Sequence, residues 1–154
     1  MGKFLKYLSF RGRANRQRFW LTALAIIGLY LAMIALVAIA RIVPLLALIP
    51  LAGVVVLVIA NLANAARRLH DRNKSAWWLL LFQGAPMVLS TLGFAISMGA
   101  RGSPGGVGLS GFITLIELPI GIWAFVELGC LPGTKGVNKY GDDPLGAPVV
   151  EAFA

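Results

Sequence analysis

The sequence contains one cysteine, Cys130, and one histidine, His70, in 154 residues. A lone cysteine excludes an intrachain disulfide framework, and a lone histidine excludes the ordinary zinc sites that use several Cys and His ligands. The pair His70-Asp71 superficially resembles a phosphohydrolase metal pair, but such a site needs further histidines. Ser75 has no second histidine and no G-x-S-x-G context, so nucleophilic catalysis is weakly supported. We therefore predict no metal, no cofactor and no catalytic residue, and we interpret Cys130 as an inert apolar side chain.

Charged residues are also scarce, at 13% of the chain, whereas 58% of the residues are hydrophobic. Soluble domains average about 25% charged and about 45–50% apolar residues. Together with a mean hydropathy of +0.82, this composition predicts a membrane protein. The net charge of +8 comes in short blocks beside apolar runs and without a recognisable reading module. This pattern favours anionic membrane lipid over nucleic acid as the partner.

Four apolar runs predict an all-α membrane protein with four transmembrane helices in a small bundle, at about residues 19–40, 44–66, 77–99 and 109–131. The first run has 22 residues, which as a helix would span about 33 Å of a hydrocarbon core of about 30 Å. A cleaved signal has a shorter apolar region of about 7–15 residues, so we interpret this run as a retained anchor. We expect a short interfacial N-terminal segment, a cytoplasmic tail over 132–154, and a single membrane domain over 1–154.

Local features predict where these helices begin, bend and end. Asn15 is a plausible N-cap for the first span. Pro50 predicts a kink in the second span, and Gly84-Ala85-Pro86 predicts a distortion in the third. Ala100–Gly108 is rich in glycine and is expected to be a flexible loop, and Pro132-Gly133 should end the fourth span.

Lys and Arg are distributed unevenly between the connections. Twelve of the fourteen lie in the N-terminal segment, in the 67–74 block or in the tail, whereas the other two are Arg41 and Arg101. Because cytoplasmic loops carry the excess of Lys and Arg, this bias predicts that both termini and the central loop are cytoplasmic. The bias thus predicts the orientation of a chain that passes through the membrane several times.

The block from Ala66 to Trp78 is the only dense cluster of charge between two long apolar halves. A second span that continues into this block would align polar side chains at helical spacing, in a stripe from the membrane to the charged face: Asn61, Asn64, Arg68, Asp71 and Ser75. Within the block, Asp71 is expected to neutralise Arg67 or Arg68, three or four residues earlier. Trp77 and Trp78 are typical of a membrane–water interface.

Three segments together resemble the small bacterial YhaH-like inner-membrane proteins, a family known as domain of unknown function 805. The matching residues are Phe10-Arg11-Gly12-Arg13-Ala14-Asn15-Arg16 with Phe19-Trp20, then Arg67-Arg68-Leu69-His70-Asp71 with Ser75 and Trp77-Trp78, then Pro132-Gly133-Thr134 with Asn138, Tyr140-Gly141 and Asp143-Pro144. The sequence departs from the family pattern at Asn15, where Ser is more usual, and at Asn73 and Ala76, where Gly is common. The resemblance implies a four-span inner-membrane protein and brings no established activity.

The tail combines Gly, Asn, Asp and Pro, which turn chemistry explains, with Tyr140, which it does not explain. We expect this acidic tail to fold back and meet Arg13, Arg16, Arg67 and Arg68 in one polar site at the cytoplasmic membrane surface. The candidate lipid-binding or partner-binding residues are Arg13, Asn15, Arg16, Arg67, Arg68, His70, Asp71, Trp77, Trp78, Asn138, Tyr140 and Asp143.

Two functional classes are compatible with the sequence. The favoured one is a non-enzymatic membrane protein whose cationic cytoplasmic face binds anionic lipid headgroups or a protein partner, which includes a second copy of the chain. The excess of cations and the lack of a catalytic set support it. The alternative is a small transporter or membrane enzyme that uses His70, Asp71 and the intramembrane acids Glu117 and Glu127, because burying those acids is costly.

The intramembrane polar candidates are Asn61, Asn64, Glu117 and Glu127. Glu127 lies about one turn from the cytoplasmic end of its span, where pairing with Asn64 or Arg68 would satisfy it. Glu117 lies about 15 Å deeper, at a depth where no span supplies a cation. We expect its neutral form, with a backbone carbonyl near Pro119 as the acceptor of its proton.

Overall fold

The computed structural model describes residues 7–40, 48–100 and 103–146. Its helices are α1 (Arg16–Ala40), α2 (Leu48–Asp71), α3 (Ala85–Gly99) and α4 (Pro104–Phe125), with single π-helical turns at Leu80–Gly84 and Val126–Cys130. Four helical segments are long and apolar enough to cross a membrane: Arg16–Ala40, Leu48–Asp71, Leu80–Gly99 and Pro104–Cys130. The prediction of an all-α membrane protein with four spans is confirmed. Arg41 and Arg101, on which the orientation also depends, lie outside the described residues.

Asn15 sets the start of α1. The helix begins three residues before the predicted start of the first span. Its side-chain Oδ1 accepts a hydrogen bond from the backbone N–H of Arg18 at 2.8 Å, and its carbonyl accepts one from the N–H of Phe19 at 2.9 Å. These bonds satisfy amides that have no partner inside the helix. The prediction of Asn15 as the N-cap is therefore confirmed.

The far end of α2 differs from the expected end at residue 66, because the helix continues to Asp71. All residues from Ala63 to Asp71 are buried, so this end of the helix is enclosed on every face and belongs to the core. After Asp71 the chain turns, and Asn73 has a positive φ of 57°. Ser75 therefore lies beyond the helix and does not extend the predicted polar stripe, which was wrong at that position.

The start of α4 also differs from the prediction. The stretch that was expected to be a flexible loop is helical from Pro104 onward, because Ser103 supplies a cap. The Ser103 Oγ accepts a hydrogen bond from the N–H of Gly106 at 3.3 Å, and Pro104 occupies the first helical position, where its missing N–H costs nothing. Glycine content alone was therefore a misleading signal at this position.

Prolines accompany the distortion before α3 and the end of the fourth span. Pro86 cannot donate a backbone hydrogen bond, and the widened turn Leu80–Gly84 lies directly before its helix, which confirms the predicted distortion. Leu131 follows the π-helical turn Val126–Cys130. Its backbone is extended, with φ −74° and ψ 144°, as expected for a residue before proline. The predicted end of the fourth span before Pro132-Gly133 is confirmed. Pro50 lies in the first described turn of α2, beside residues 41–47, which are outside the described chain.

The chain forms two compact units, of which the first contains Met1–Ser75 and Pro132–Ala154. In this unit α1 and α2 pack antiparallel. Near one end the side-chain amide of Asn64 donates to the carbonyl of Phe19 at 3.1 Å. Near the other end a Cβ on Gly53 would lie 2.9 Å from the sulfur of Met33, so the absence of a side chain allows this close approach. The tail joins the unit at the buried end of α2.

The second unit, Ala76–Leu131, is an antiparallel pair formed by α3 and α4. Gly93 is buried against Ile113, and the ring of Trp123 packs edge-on against Phe82 and Trp78 at centroid distances of 5.4 and 5.5 Å. Large apolar side chains on the outer faces of both units remain exposed. Such apolar surface suits contact with lipid, as the four membrane-length helices require.

Candidate functional site

The site in the first unit is organised around Asp71, the last residue of α2. The residue is 2% exposed, and its carboxylate pairs with two guanidinium groups: Arg13 at 3.1 Å and Arg68. Of the two partners expected from spacing, the structure selects Arg68 over Arg67. It also adds Arg13, which is 58 residues away in the chain and which spacing on a helix could not indicate.

Arg13 links this ion pair to the tail. Its Nη1 donates to the carbonyls of Gly136 at 2.6 Å and Gly141 at 3.3 Å, and its Nη2 donates to the carbonyl of Thr134. A guanidinium offers five N–H donors in a fixed planar fork, and here that fork is shared between one carboxylate and three backbone carbonyls. We call the assembly of Arg13, Arg68, Asp71, Gly133 and Thr134 the tail clasp.

Thr134 caps the end of α2. Its backbone N–H donates to the Asp71 carbonyl at 2.8 Å, and its Oγ1 donates to the same carbonyl at 2.9 Å. The last carbonyls of a helix have no partner within the helix, so these bonds satisfy one of them. The neighbouring Gly133 lies so close to the Asp71 carboxylate that a Cβ there would overlap it. The motif Pro132-Gly133-Thr134 is therefore explained by one close approach and one cap.

His70 and Tyr140 form a second contact between α2 and the tail. Their rings are stacked with centroids 3.9 Å apart and planes 9° apart, and the Nδ1 of His70 lies 3.2 Å from the carbonyl of Gly12. Gly12 has φ of +87°, a conformation that other residues rarely adopt. The Asn138 side chain adds a hydrogen bond from its Nδ2 to the carbonyl of His70 at 3.0 Å. Stacking on His70 is the role of Tyr140 that turn chemistry could not explain.

Asp143, in the described part of the tail, bonds to the backbone of the tail itself. Asp143 accepts hydrogen bonds from the backbone amides of Gly136 and Leu145, both at 3.0 Å. The bond from Leu145 has the largest effect, followed by the bond from Gly136. Both lower the pKa of the Asp143 carboxyl below its ordinary value, because they favour its charged form. The tail thus reaches Arg13 through its backbone carbonyls, and Asp143 shapes the tail loop.

Arg67 and Asn64 fasten the N-terminal segment to α2. The carbonyl of Arg67 accepts a hydrogen bond from the N–H of Ala14 at 3.1 Å, and its guanidinium donates to the carbonyls of Ala63 at 3.2 Å and Tyr7 at 3.4 Å. Asn64 is fully buried, and its Oδ1 has no hydrogen-bond partner among the described residues. Asn61, one turn deeper, is half-buried.

Burial separates six arginines of the first unit into two groups. Arg13, Arg67 and Arg68 are at most 7% exposed, whereas Arg11, Arg16 and Arg18 are exposed. Beside the clasp, a polar pocket of about 370 Å³ is lined by residues that include Arg16, Lys135, Asn15 and Asp143. No group of three His, Cys, Asp or Glu side chains in the described part of the chain is arranged to hold a metal ion.

The two tryptophans of the candidate set belong to the second unit. Trp77 is highly exposed, in agreement with an interfacial position. Trp78 packs in the aromatic cluster with Phe82 and Trp123. Trp78 therefore contributes to packing of the helix pair in which it lies.

The intramembrane acids have different environments within this unit. Glu117 accepts a hydrogen bond from the Oγ of Ser90 at 2.8 Å. A backbone carbonyl near Pro119 as the acceptor of the Glu117 proton stays a prediction. The hydroxyl of Ser90 is visible in the sequence, but only the register of α3 against α4 brings it into reach. Glu127 is buried in the π-helical turn, and its pairing with Asn64 or Arg68 stays a prediction.

The sequence that contains these residues matches a family described as of unknown function. A family model described as Protein of unknown function (DUF805) matches residues 7–142. The chain belongs to the DUF805 family. It is similar to the inner membrane proteins YhaH and YhaI and to the uncharacterized protein YiiR of Escherichia coli K12. The identities are 28% with YhaH, 30% with YhaI and 33% with YiiR.

These similarities extend over nearly the whole length of each protein. The match with YhaH covers 92% of this chain and 93% of YhaH. The match with YhaI covers 90% of this chain and 87% of YhaI, and the match with YiiR covers 88% of this chain and 85% of YiiR. No solved structure matches the chain. The DUF805 relationship and the four membrane-length helices identify the chain as a multi-pass inner-membrane protein.

Gly133, Thr134 and Gly136 were missing from the candidate set, although the turn motif that contains Gly133 and Thr134 was recognised.

We predict that Asp71→Asn destabilises the first unit by about 3–5 kcal/mol, because it leaves two buried guanidinium groups without their carboxylate. Thermal unfolding in a mild detergent, followed by circular dichroism, measures the loss. The matched control is Asp142→Asn, which removes an exposed carboxylate of the tail and should leave the unfolding temperature unchanged. Equal unfolding temperatures of the two variants would contradict the predicted contribution of Asp71 to the stability of the first unit.

Gly133→Ala should release the tail without unfolding the helices, because the new Cβ overlaps the Asp71 carboxylate and displaces Thr134 from its cap. Hydrogen exchange read by mass spectrometry should show lost protection over the tail peptide and retained protection in α1. The control is Gly28→Ala, where an added Cβ meets nothing within 4 Å. A fully protected tail in Gly133→Ala would show that the close approach is not required.

Glu117→Gln should leave the fold of the second unit intact, because the amide oxygen can accept the Ser90 hydrogen bond. Ser90→Ala should cost about 0.6 kcal/mol, the average for such bonds between membrane helices. Thermal unfolding of both variants checks these values. Proton flux in proteoliposomes that exceeds empty vesicles and vanishes in Glu117→Gln would instead support the transport hypothesis.

Proposed function

We propose that this DUF805 protein is a non-enzymatic inner-membrane protein that holds anionic lipid headgroups at its cytoplasmic surface. The observation that carries the proposal is the different burial of arginines within the first unit. Arg13, Arg67 and Arg68 donate to partners inside the first unit, whereas Arg11, Arg16 and Arg18 are exposed beside them. The exposed cations are the ones that a headgroup can reach.

This assignment revises which cations bind lipid. From the sequence, the role was expected of Arg13, Arg16, Arg67 and Arg68, and of these only Arg16 is exposed. A buried guanidinium that already satisfies carboxylate and carbonyl acceptors would have to break those bonds to bind a phosphate. An exposed cation near an anionic membrane surface is within reach of a headgroup and contributes about 1 kcal/mol. The buried arginines would then position the segment that carries the exposed ones.

The orientation rests on two supporting observations. Hydrogen bonds join the N-terminal segment, the end of α2 and the tail within the first unit, as between Ala14 and Arg67 and between Thr134 and Asp71. Segments in direct contact lie on the same side of a membrane. These segments also carry the excess of Lys and Arg, which favours the cytoplasmic side.

Reporter fusions test this orientation. We expect cytoplasmic reporter activity for fusions after Lys74 and Ala154 and periplasmic activity for fusions after Arg41 and Arg101, because of the unequal distribution of cations. A periplasmic tail would place the exposed arginines opposite the anionic leaflet and would end the proposal.

Native mass spectrometry of protein from nanodiscs tests the lipid preference. Discs that contain phosphatidylglycerol and phosphatidylcholine in equal amounts should give wild-type protein enriched in phosphatidylglycerol. The double variant Arg11→Gln, Arg16→Gln should lose most of that enrichment. Arg101→Gln, which removes a cation predicted on the opposite side, is the control and should retain it. Equal capture of both lipids by wild type would refute the proposal, and a protein partner would become the better candidate.

A further inference from the structure

A groove of about 550 Å³ runs along the first unit between α1 and α2. Apolar side chains from both helices form its walls: Leu21, Ala25 and Leu29 from α1, and Val56, Leu57 and Ala60 from α2. The two alanines leave space that larger side chains would fill. The groove therefore results from small residues on facing walls within one compact unit.

The mouth of the groove is polar and cationic. Asn15, Gln17 and Arg18 line this end, at the start of α1. Arg18 is exposed and lies within electrostatic range of Arg67. The exposed cation at this opening favours a negatively charged group there. Pro144 also lies at the rim, carried there by the tail that the clasp holds.

The length of the apolar part corresponds to one leaflet of a bilayer. From Arg18 to Leu29 the helix rises by about 17 Å, at about 1.5 Å for each residue. The hydrocarbon core is about 30 Å thick, so the groove extends from the interface to about the midplane. A ligand that fits has an anionic head and an apolar chain about one leaflet long, which are the properties of a phospholipid.

We propose that this groove binds one anionic phospholipid for each chain, with its phosphate at Arg18 and an acyl chain between α1 and α2. The proposal rests on the proposed function, because it assigns a defined site to one of the lipids that the exposed cations attract. A second copy of the chain is a poorer occupant, since an approaching helix would have to bury Arg18 at the mouth without a matching negative charge.

Two variants test the groove by independent routes. Ala25→Phe fills the apolar part and leaves the charge unchanged, whereas Arg18→Gln removes the charge and leaves the groove open. The controls are Ala35→Phe, on an exposed position of α1 outside the groove, and Lys135→Gln, which removes an exposed cation of the tail outside it. Circular dichroism and gel filtration establish that each variant folds.

The readout is native mass spectrometry after detergent exchange in the presence of phosphatidylglycerol or phosphatidylcholine. We expect wild type, Ala35→Phe and Lys135→Gln to retain one phosphatidylglycerol for each chain. Ala25→Phe should retain none, and Arg18→Gln should bind about fivefold more weakly, the effect of one cation near the membrane surface. Equal retention of phosphatidylcholine, or a dimer that Ala25→Phe disrupts, would overturn the proposal.

The two proposals fail in different ways in these measurements. General enrichment in phosphatidylglycerol without a retained lipid of fixed stoichiometry would refute the groove and leave the proposed function standing. A single retained lipid in Ala25→Phe would also refute the groove. No enrichment in nanodiscs, together with one retained phosphatidylglycerol lost in Ala25→Phe, would refute the general function and support the groove.

Discussion

The carboxylate of Asp71 is the group on which the polar end of the first unit depends. It is buried between the guanidinium groups of Arg13 and Arg68, so that two cations can leave water only because this anion is present. Removing one charge from a buried ion network costs far more than removing an exposed pair, because the remaining charges lose their compensation. The end of α2, the N-terminal segment and the tail all meet at this one side chain.

The tail is held by its backbone more than by its charges. Arg13 donates to the carbonyls of Thr134, Gly136 and Gly141, and these carbonyls point toward it only when the chain follows this path. Gly136 and Gly141 have positive φ angles, which glycine adopts without strain. The glycine pattern of the tail is thus a requirement of the contact with Arg13, and Asp143 maintains the loop by accepting hydrogen bonds from two of its amides.

The different burial of the arginines bears on function. The buried arginines Arg13, Arg67 and Arg68 donate to acceptors inside the first unit, whereas Arg18 is exposed and lines one end of the groove between α1 and α2. The net charge of +8 therefore overstates the charge at the surface, since the three buried guanidinium groups contribute to it. In the proposed function, the cations that remain at the surface are the ones within reach of a lipid headgroup.

The sequence by itself determined the features that depend on neighbouring residues. Apolar runs long enough for a bilayer predicted four spans, Asn15 predicted the start of α1, and prolines predicted the distortion before α3 and the end after Cys130. Tertiary structure alone decided which arginine neutralises Asp71, why Gly133 has no side chain and what Tyr140 contacts. Arg13 and Thr134 are separated by 121 residues, and no periodicity relates positions so far apart. Hydropathy and capping act within a few turns, whereas the burial of a charge depends on every segment that packs around it.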